Sequence, residues 1–432
     1  MTDRKDHIVA ATAQSSLAVP ISQQVLLLHA PREPYHLQKD YSVPALAHGR
    51  ELLVRTRAIG LNPIDWKAPD YSFGLPELPY IAGRELAGDV ALYGTGTSRL
   101  QVGDRVLAIS TDYRDLRKGA YQEYVVAWDY NTVRLPPQVS YEAGATVGVA
   151  FVAAVLALGV NLGVDFTAVE DGPDLLKLVR SLARSASTPL PADIRDECLS
   201  GIAETDRAGP GDWIAIWGAS STSAHMAIQL ARLAGLRVAA VVDTARHGLR
   251  LAGHTDAYQA ATTTCSWQPD LLIDSHDPER AVSVLRANLG SKLRFGFDTR
   301  GRESAQSLLQ ALACSEGPSQ AQSSPPSPPA TPRPSVSPPL SHLVGLTGLP
   351  KGAPPPGGVF HSVPIKLFHE VPAVGEALSV WLEKLLASGR LVPPVVIGVE
   401  TGLESVNAGL DRMRAGEIRG GRLVVRLAGD LL

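Results

Sequence analysis

Six consecutive small residues, Gly218-Ala219-Ser220-Ser221-Thr222-Ser223, are the part of the chain best suited to chemistry on a phosphate. Small side chains let a backbone approach a ligand closely. The free N–H groups and positive dipole end of a starting helix favour an anion. Ahead of this stretch, Trp213 to Trp217 is a short apolar run of the kind that forms a buried strand. Behind it, Ala224 to Arg232 has helical spacing and good helix formers. Strand, small turn and helix together form the phosphate-binding unit of a dinucleotide fold. The glycine signature G-x-G-x-x-G is incomplete, because only Gly218 stands. A plain crossover without a ligand is the bland alternative. Four hydroxyls at a helix start, and a second strand from Arg237 to Val242 at the right distance, favour the dinucleotide.

Other polar residues fall where a dinucleotide would need them. Asp243 ends the second strand, with Arg246 and His247 just beyond. An acid there accepts ribose hydroxyls, whereas basic residues bind a 2′-phosphate, so these residues leave NAD and NADP both open. Asp298 and Thr299 follow the strand Leu293 to Asp298 and are candidates to approach the nicotinamide carboxamide. Earlier in the chain, Asn62-Pro63-Ile64-Asp65-Trp66-Lys67 opens a helix. Asp65 suits its positively polarised N-terminus. Asn62 either donates to a ligand or caps the turn. Tyr71, Tyr80 and Tyr121 are candidate proton donors, each with an ordinary packing role as the alternative.

The elements that position these residues divide in two. Short strands with glycine turns run from Gln24 to Val126 and predict a small, irregular β-barrel. From Ser140 the period becomes helical, and α/β units follow to about residue 390. Residues 161–209 are less regular, with one amphipathic helix at Leu175 to Arg184, and read as an excursion before the cofactor strand. Strand, helix and strand close the chain, and a last strand from Arg422 to Leu427 that rejoins the barrel would make the first domain discontinuous. The expected domains are 21–149 completed by 391–432, and 150–390, with a disordered lead-in at 1–20 and a disordered Pro/Ser-rich insert at 315–340.

Composition bounds the rest. The 432 residues are 45% hydrophobic and 19% charged, with a net charge of −3, which suits a globular enzyme and carries no nucleic-acid footprint. The three cysteines form no C-x-x-C pair, so neither a disulfide framework nor a structural zinc lobe is expected. No run of eighteen apolar residues and no signal-like start are visible, so the expectation is a cytoplasmic protein with no membrane span.

Several segments now carry a resemblance. They are Gly60-Leu61-Asn62-Pro63-Ile64-Asp65-Trp66-Lys67, Gly83-Arg84-Glu85-Leu86-Ala87-Gly88, Val102 to Val106, Leu293 to Asp298, and Gly420 to Val425. Their order and spacing resemble the medium-chain dehydrogenase/reductase superfamily. Asn62 to Lys67 and His361 to Pro372 resemble its fungal secondary-metabolism branch, which contains trans-acting enoyl reductases. The resemblance implies a GroES-like β-barrel domain and a Rossmann domain with a doubly wound parallel sheet.

It also implies NADPH as cofactor, with Arg246 on the 2′-phosphate, helped by His247, and Asp243 turned away. Ile64, Asp65 and Lys67 join Gly218, Ser220, Ser221, Thr222, Ser223, Asp298 and Thr299 in the cofactor set. Lys67, Asn62 and Tyr71 are the candidate catalytic residues. Gly420 and Gly421 allow a close backbone approach near the site or mark a turn. Zinc-dependent members carry a cysteine and a histidine where this chain has Asn62 and Arg84, so no metal is expected. Without a Lewis acid, reduction of an activated C=C bond is favoured over alcohol oxidation. Many relatives have a threonine where Ala153 stands, a departure from the enoyl-reductase pattern. The implied substrate is a small unsaturated carbonyl or acyl thioester, with a polyketide synthase as partner and a monomer or homodimer as assembly. The alternatives are a quinone or carbonyl reductase or other dehydrogenase on the same fold, and a non-catalytic dinucleotide-binding partner of a synthase.

Overall fold

The computed structural model describes residues 19–427 apart from 98, 111, 113, 186–188, 254–267 and 314–338. The expected lead-in and Pro/Ser-rich insert lie, but for residues at their edges, outside the described residues. The chain divides into two compact units, one of Met1–Val149, Val395–Ile418 and Arg422–Leu432, the other of Ala150–Pro394 with Arg419–Gly421.

The second unit is built on six parallel strands. Their spatial order is Leu271–Asp274, Arg237–Val242, Trp213–Trp217, Leu293–Asp298, Ser341–Gly345 and Gly358–Ser362. Counted along the chain this is 3-2-1-4-5-6, the doubly wound order. Parallel strands need covering on both faces, which explains their near-continuous apolar runs. Ile214, Ala215, Ile216, Val238, Val241, Phe295 and Phe297 are all buried. Strand order reverses between Trp213–Trp217 and Leu293–Asp298, so a crevice opens beyond their carboxyl ends.

The irregular stretch before the first of these strands is tied to the sheet by a buried polar chain. Helix Leu175–Arg184 is capped by Asp174, whose side chain accepts from Lys177 N, and helix Arg195–Ser200 follows it. From this second helix, Glu197 Oε1 lies 2.7 Å from His361 Nδ1. His361 Nε2 in turn lies 2.9 Å from His342 Nδ1. Asn161 Nδ2 donates to the same Glu197 oxygen at 2.7 Å. With Glu197 ionised, complementarity assigns a proton to His361 Nδ1 and another to His342 Nδ1. His342 then stays neutral, because burial and the neighbouring His361 and Arg294 push its pKa down to about 3.

The first unit holds a seven-stranded sheet. Its path runs Val396–Thr401, Arg422–Arg426, Glu51–Gly60, Glu85–Tyr93, Arg105–Ile109 and Thr132–Arg134, and Tyr124–Trp128 pairs with Glu51–Gly60. The hairpin Ser22–Leu27 and His36–Ser42 stands beside it as a two-stranded sheet. Arg422–Arg426 pairs antiparallel with Glu51–Gly60, so the end of the chain completes the sheet begun near its start.

An 18-residue window of the helical stretch Tyr141–Asn161 has a mean hydropathy of 2.2, and the stretch is long enough to cross a bilayer, although no uninterrupted apolar run marks it. It is nevertheless a core element, with 89% of its apolar window buried in the fold.

Two buried histidines of the second unit make its stability pH-dependent. His342 is held near 3, and burial foremost takes His225 down to about 4. Both folded-state values lie below the ordinary 6.5. The unfolded chain therefore binds more protons, and stability present above that value is lost as pH falls through it. The urea midpoint of this unit should drop between pH 7.5 and pH 5. His342→Phe should flatten that drop while lowering the plateau. An unchanged slope in the variant would show that His342 does not carry the effect.

Candidate functional site

Gly218 leaves the first strand of the doubly wound sheet with φ of 80°, the left-handed region that favours glycine. A Cβ at this position would meet Thr299 Oγ1 at 2.7 Å, so space also demands glycine. Helix Thr222–Leu233 begins four residues later, and Ser221 caps it by accepting from Ala224 N at 3.1 Å. Ser221 Oγ then donates to Thr299 Oγ1 at 2.9 Å. Thr299 Oγ1 also lies 3.1 Å from Trp217 O and 3.0 Å from Gly218 O. These bonds join the first and fourth strands where strand order reverses. Ser221 and Thr299 are thus occupied in building the cradle. Ser220, Thr222 and Ser223 remain half-buried at the helix start. A twelve-residue helix with its N-terminus at a switch point, reached through an obligatory glycine, fits a dinucleotide pyrophosphate.

Asp298 is fully buried, and its Oδ1 accepts from Arg300 N at 3.0 Å and Gly301 N at 2.7 Å. It anchors the loop after the fourth strand, a structural task that its sequence position did not reveal.

Asp243 caps helix Thr244–Leu251 by accepting from Arg246 N at 3.1 Å. Its second oxygen lies 3.4 Å from Arg246 Nε and 3.6 Å from His276 Nε2. Asp274, which ends the neighbouring strand, accepts from Thr244 N at 3.1 Å and lies 3.1 Å from His276 Nδ1. Sequence reasoning missed Asp274 and His276, which come to this corner only through parallel pairing of the second and third strands. His247, expected to help hold a phosphate, is half-buried on the same helix, within reach of the charges of Asp243 and Arg246, and also faces Gly420. The Cβ that Gly420 lacks would lie 2.7 Å from its Cε1, and Gly420 itself has φ of 74°. Arg250 Nη1 donates to Gly420 O. Burial, followed by the charge of Arg250, lowers the His247 pKa and keeps the ring neutral.

In the first unit, helix Pro63–Tyr71 carries the other candidates. Lys67 is half-buried, with Nζ 5.6 Å from the centre of the Trp66 ring. Among the described residues it has no ion-pair partner. Ile64 is half-buried and Tyr71 is 68% exposed, whereas Tyr80 and Tyr121 are buried. Asp65 accepts from Asn62 N at 2.8 Å, as a carboxylate at a helix N-terminus should. Burial pushes its pKa up to about 6, against the opposing charges of Arg84 and Arg422.

Asn62 is the most constrained of these residues. Its Nδ2 donates to Gly60 O at 3.1 Å and Glu85 Oε1 at 3.0 Å, and its Oδ1 accepts from Arg422 Nη1 at 2.6 Å. Arg422 Nη2 lies 3.2 Å from Glu85 Oε1, and both side chains are at most 4% exposed. Burial raises the Glu85 pKa, while Arg422, the Val149 N–H and the Asn62 amide oppose that rise. The amide of Asn62 is therefore spent within the fold. The same geometry bears on metal binding. A catalytic zinc needs about three lone-pair donors around an open position. Here a guanidinium, which has donors only, lies between the two available oxygen ligands. The residues do not fit that metal.

The family described as the alcohol dehydrogenase GroES-like domain matches residues 48–137. A trans-enoyl reductase of Aspergillus sclerotiorum is 29% identical over 90% of this chain and 96% of its own length. The match and the relative together make the chain similar to medium-chain dehydrogenases and reductases. Solved structures agree on the fold. An alcohol dehydrogenase superfamily protein from Novosphingobium aromaticivorans superposes with a TM-score of 0.65 at 16% identity, covering 94% of this chain and all of that one. Escherichia coli quinone oxidoreductase, solved with NADPH, gives 0.61 at 18% identity, covering 93% and 99%. The two-part fold of a GroES-like and a Rossmann unit agrees with these neighbours. Ala153 is buried and supplies no hydroxyl where the resemblance led us to look for one.

Two substitutions test this geometry. Gly218→Ala should weaken dinucleotide binding at least tenfold and lower the melting temperature, because a Cβ collides with Thr299. Unchanged binding would show that the turn is not the cradle. Arg422→Met leaves Glu85 buried and unpaired and should cost about 3–5 kcal/mol of folding stability. Glu85→Gln in the same chain should recover much of it, as read from urea melts of both variants.

Proposed function

We propose that this protein is a zinc-independent, NADPH-dependent reductase of an activated C=C bond, acting on an α,β-unsaturated carbonyl or acyl thioester in fungal secondary metabolism. The observation that carries this reading is the Arg422 guanidinium locked against Asn62 and Glu85, in a chain similar over its length to a trans-enoyl reductase. Oxidising a simple alcohol without a metal lacks a stabiliser for the alkoxide. Reduction of a conjugated C=C bond places the developing charge on an enolate oxygen, which hydrogen-bond donors can hold.

When bound, the reduced nicotinamide supplies a hydride. The chain's own residues bind and orient. The small turn from Gly218 to Ser223 cradles the pyrophosphate at the start of helix Thr222–Leu233. Arg246 is 55% exposed and holds the 2′-phosphate, and its existing contact with Asp243 offsets that carboxylate's repulsion. Lys67, with no ion-pair partner among the described residues, contributes a cation to the cofactor's phosphate or ribose groups. Asn62 acts here through its neighbours, shaping the turn from which helix Pro63–Tyr71 starts. The resemblance supplies the partner, a polyketide synthase that presents the unsaturated acyl chain as a thioester.

The test is turnover of NADPH and NADH against enoyl thioesters, enones and quinones, with and without a chelator. Chelator-insensitive NADPH oxidation with an enoyl thioester is expected. Turnover on quinones alone would move the reading to a quinone reductase, and chelator-sensitive alcohol oxidation would overturn the metal argument. Arg246→Ala should raise the apparent KM for NADPH about tenfold or more and leave that for NADH nearly unchanged.

A further inference from the structure

The corner beyond the second and third parallel strands contains an imidazole set between two carboxylates. Asp274 is the last residue of its strand and lies opposite Val242, so Asp243 and Asp274 emerge side by side. His276, two residues on, reaches both, with Nδ1 3.1 Å from Asp274 Oδ1 and Nε2 3.6 Å from Asp243 Oδ2. Arg246 Nε lies 3.4 Å from that same Asp243 oxygen. One oxygen of Asp243 is therefore flanked by a permanent cation and by a group that becomes a cation on protonation. His276 is 62% exposed and Arg246 55%, so both side chains are accessible to a ligand.

We propose that His276 is a specificity-determining residue of the cofactor site: its protonated ring completes, with Arg246, a subsite for the ribose 2′-phosphate, and its neutral ring withdraws that support. This rests on the NADPH reading of the same corner. The electrostatics follow from the groups present. With a neutral ring, two carboxylates face one guanidinium, and the corner is net negative, which opposes a phosphate monoester. A proton on His276 removes the excess. The phosphate and both carboxylates then favour the imidazolium, so binding of NADPH should draw a proton onto the ring.

The other charged groups nearby do not substitute for it. His247 is packed against Gly420 and held neutral, and Arg250 donates to the Gly420 carbonyl. Asp277, the neighbour of His276 in sequence, caps the next helix by accepting from Arg280 N at 2.9 Å. Thr244, whose hydroxyl donates to Asp274 at 2.9 Å, is neutral.

The experiment uses the full chain and measures binding, not turnover. Affinities for NADPH and NADH are determined by calorimetry at pH 6, 7 and 8, in pairs of buffers with different ionisation heats, so that proton uptake is read directly. The 2′-phosphate itself titrates near pH 6. The informative comparison is therefore wild type against His276→Asn at each pH. Asparagine keeps a donor toward Asp274 and loses the titration, and the exposed position tolerates the change.

The expected result is proton uptake on binding NADPH and none with NADH. His276→Asn should abolish that uptake and weaken NADPH about fivefold at pH 6, with little effect at pH 8 or on NADH. If the variant matches wild type in affinity and proton uptake while Arg246→Ala still weakens NADPH selectively, the role of His276 is overturned and the NADPH reading stands. If wild type binds NADPH and NADH alike and Arg246→Ala changes neither selectively, both fail.

Discussion

A carboxylate that is buried must be answered by a charge, and in the first unit that requirement organises the fold. Glu85 is 1% exposed on the side chain and lies 3.2 Å from Arg422. Arg422 begins the strand that pairs with Glu51–Gly60, and it also holds Asn62 at the start of helix Pro63–Tyr71. One ion pair therefore fixes the start of an interior strand of the sheet, the entry to the helix and the orientation of an asparagine. Such a pair adds little over a well-packed apolar substitute, but losing one member is costly. Its worth lies in specifying a single arrangement of three segments. The oxygens a metal would need already face a guanidinium.

The second unit solves a different problem with weaker groups. Its turn at Gly218 brings two strand ends and a helix start together, and hydroxyls join the backbone bond from Thr299 N to Trp217 O in bridging them. The bonds from Ser221 to Thr299, and from Thr299 to the carbonyls of Trp217 and Gly218, are made by neutral hydroxyls. Arg300 stands beside this turn, its Cβ 3.4 Å from where a Cβ on Gly218 would lie. At the ends of the second and third strands, Asp243, Arg246, Asp274 and His276 offset one another.

Much of the fold was legible because parallel strands buried on both faces are written as apolar runs. Trp213–Trp217, Arg237–Val242, Leu271–Asp274 and Leu293–Asp298 all stand where the pattern put them. Strands without that pattern stayed hidden. His36–Ser42 exposes nearly every side chain, and Gly358–Ser362 begins with a glycine and ends in polar residues. In the helix Pro372–Ala387, the proline at its first position and the glycine at 375 interrupt the signal, which is clear only from Val380 to Leu386. At the site, local segments revealed the cradle from Gly218 to Ser223. Contacts between distant segments were invisible. Nothing near Arg422 marks it as the partner of Glu85, and nothing near His276 points to Asp243. The approach of Gly420 to His247 was hidden for the same reason, since Gly420 lies far along the chain.

The discontinuity of the first unit has a consequence for synthesis. Glu85 is translated early and Arg422 near the end of the described chain, with the whole parallel sheet between them. While the ribosome is still making the second unit, Ala58 to Gly60 have no partner on one edge of their strand and Glu85 has no guanidinium to answer it. The Rossmann unit, by contrast, is nearly contiguous and can close as it emerges. The order of maturation is therefore the reverse of the order of translation. A stalled or truncated nascent chain would display a closed parallel sheet and, in its first unit, an open sheet edge, the kind of surface that chaperones retain.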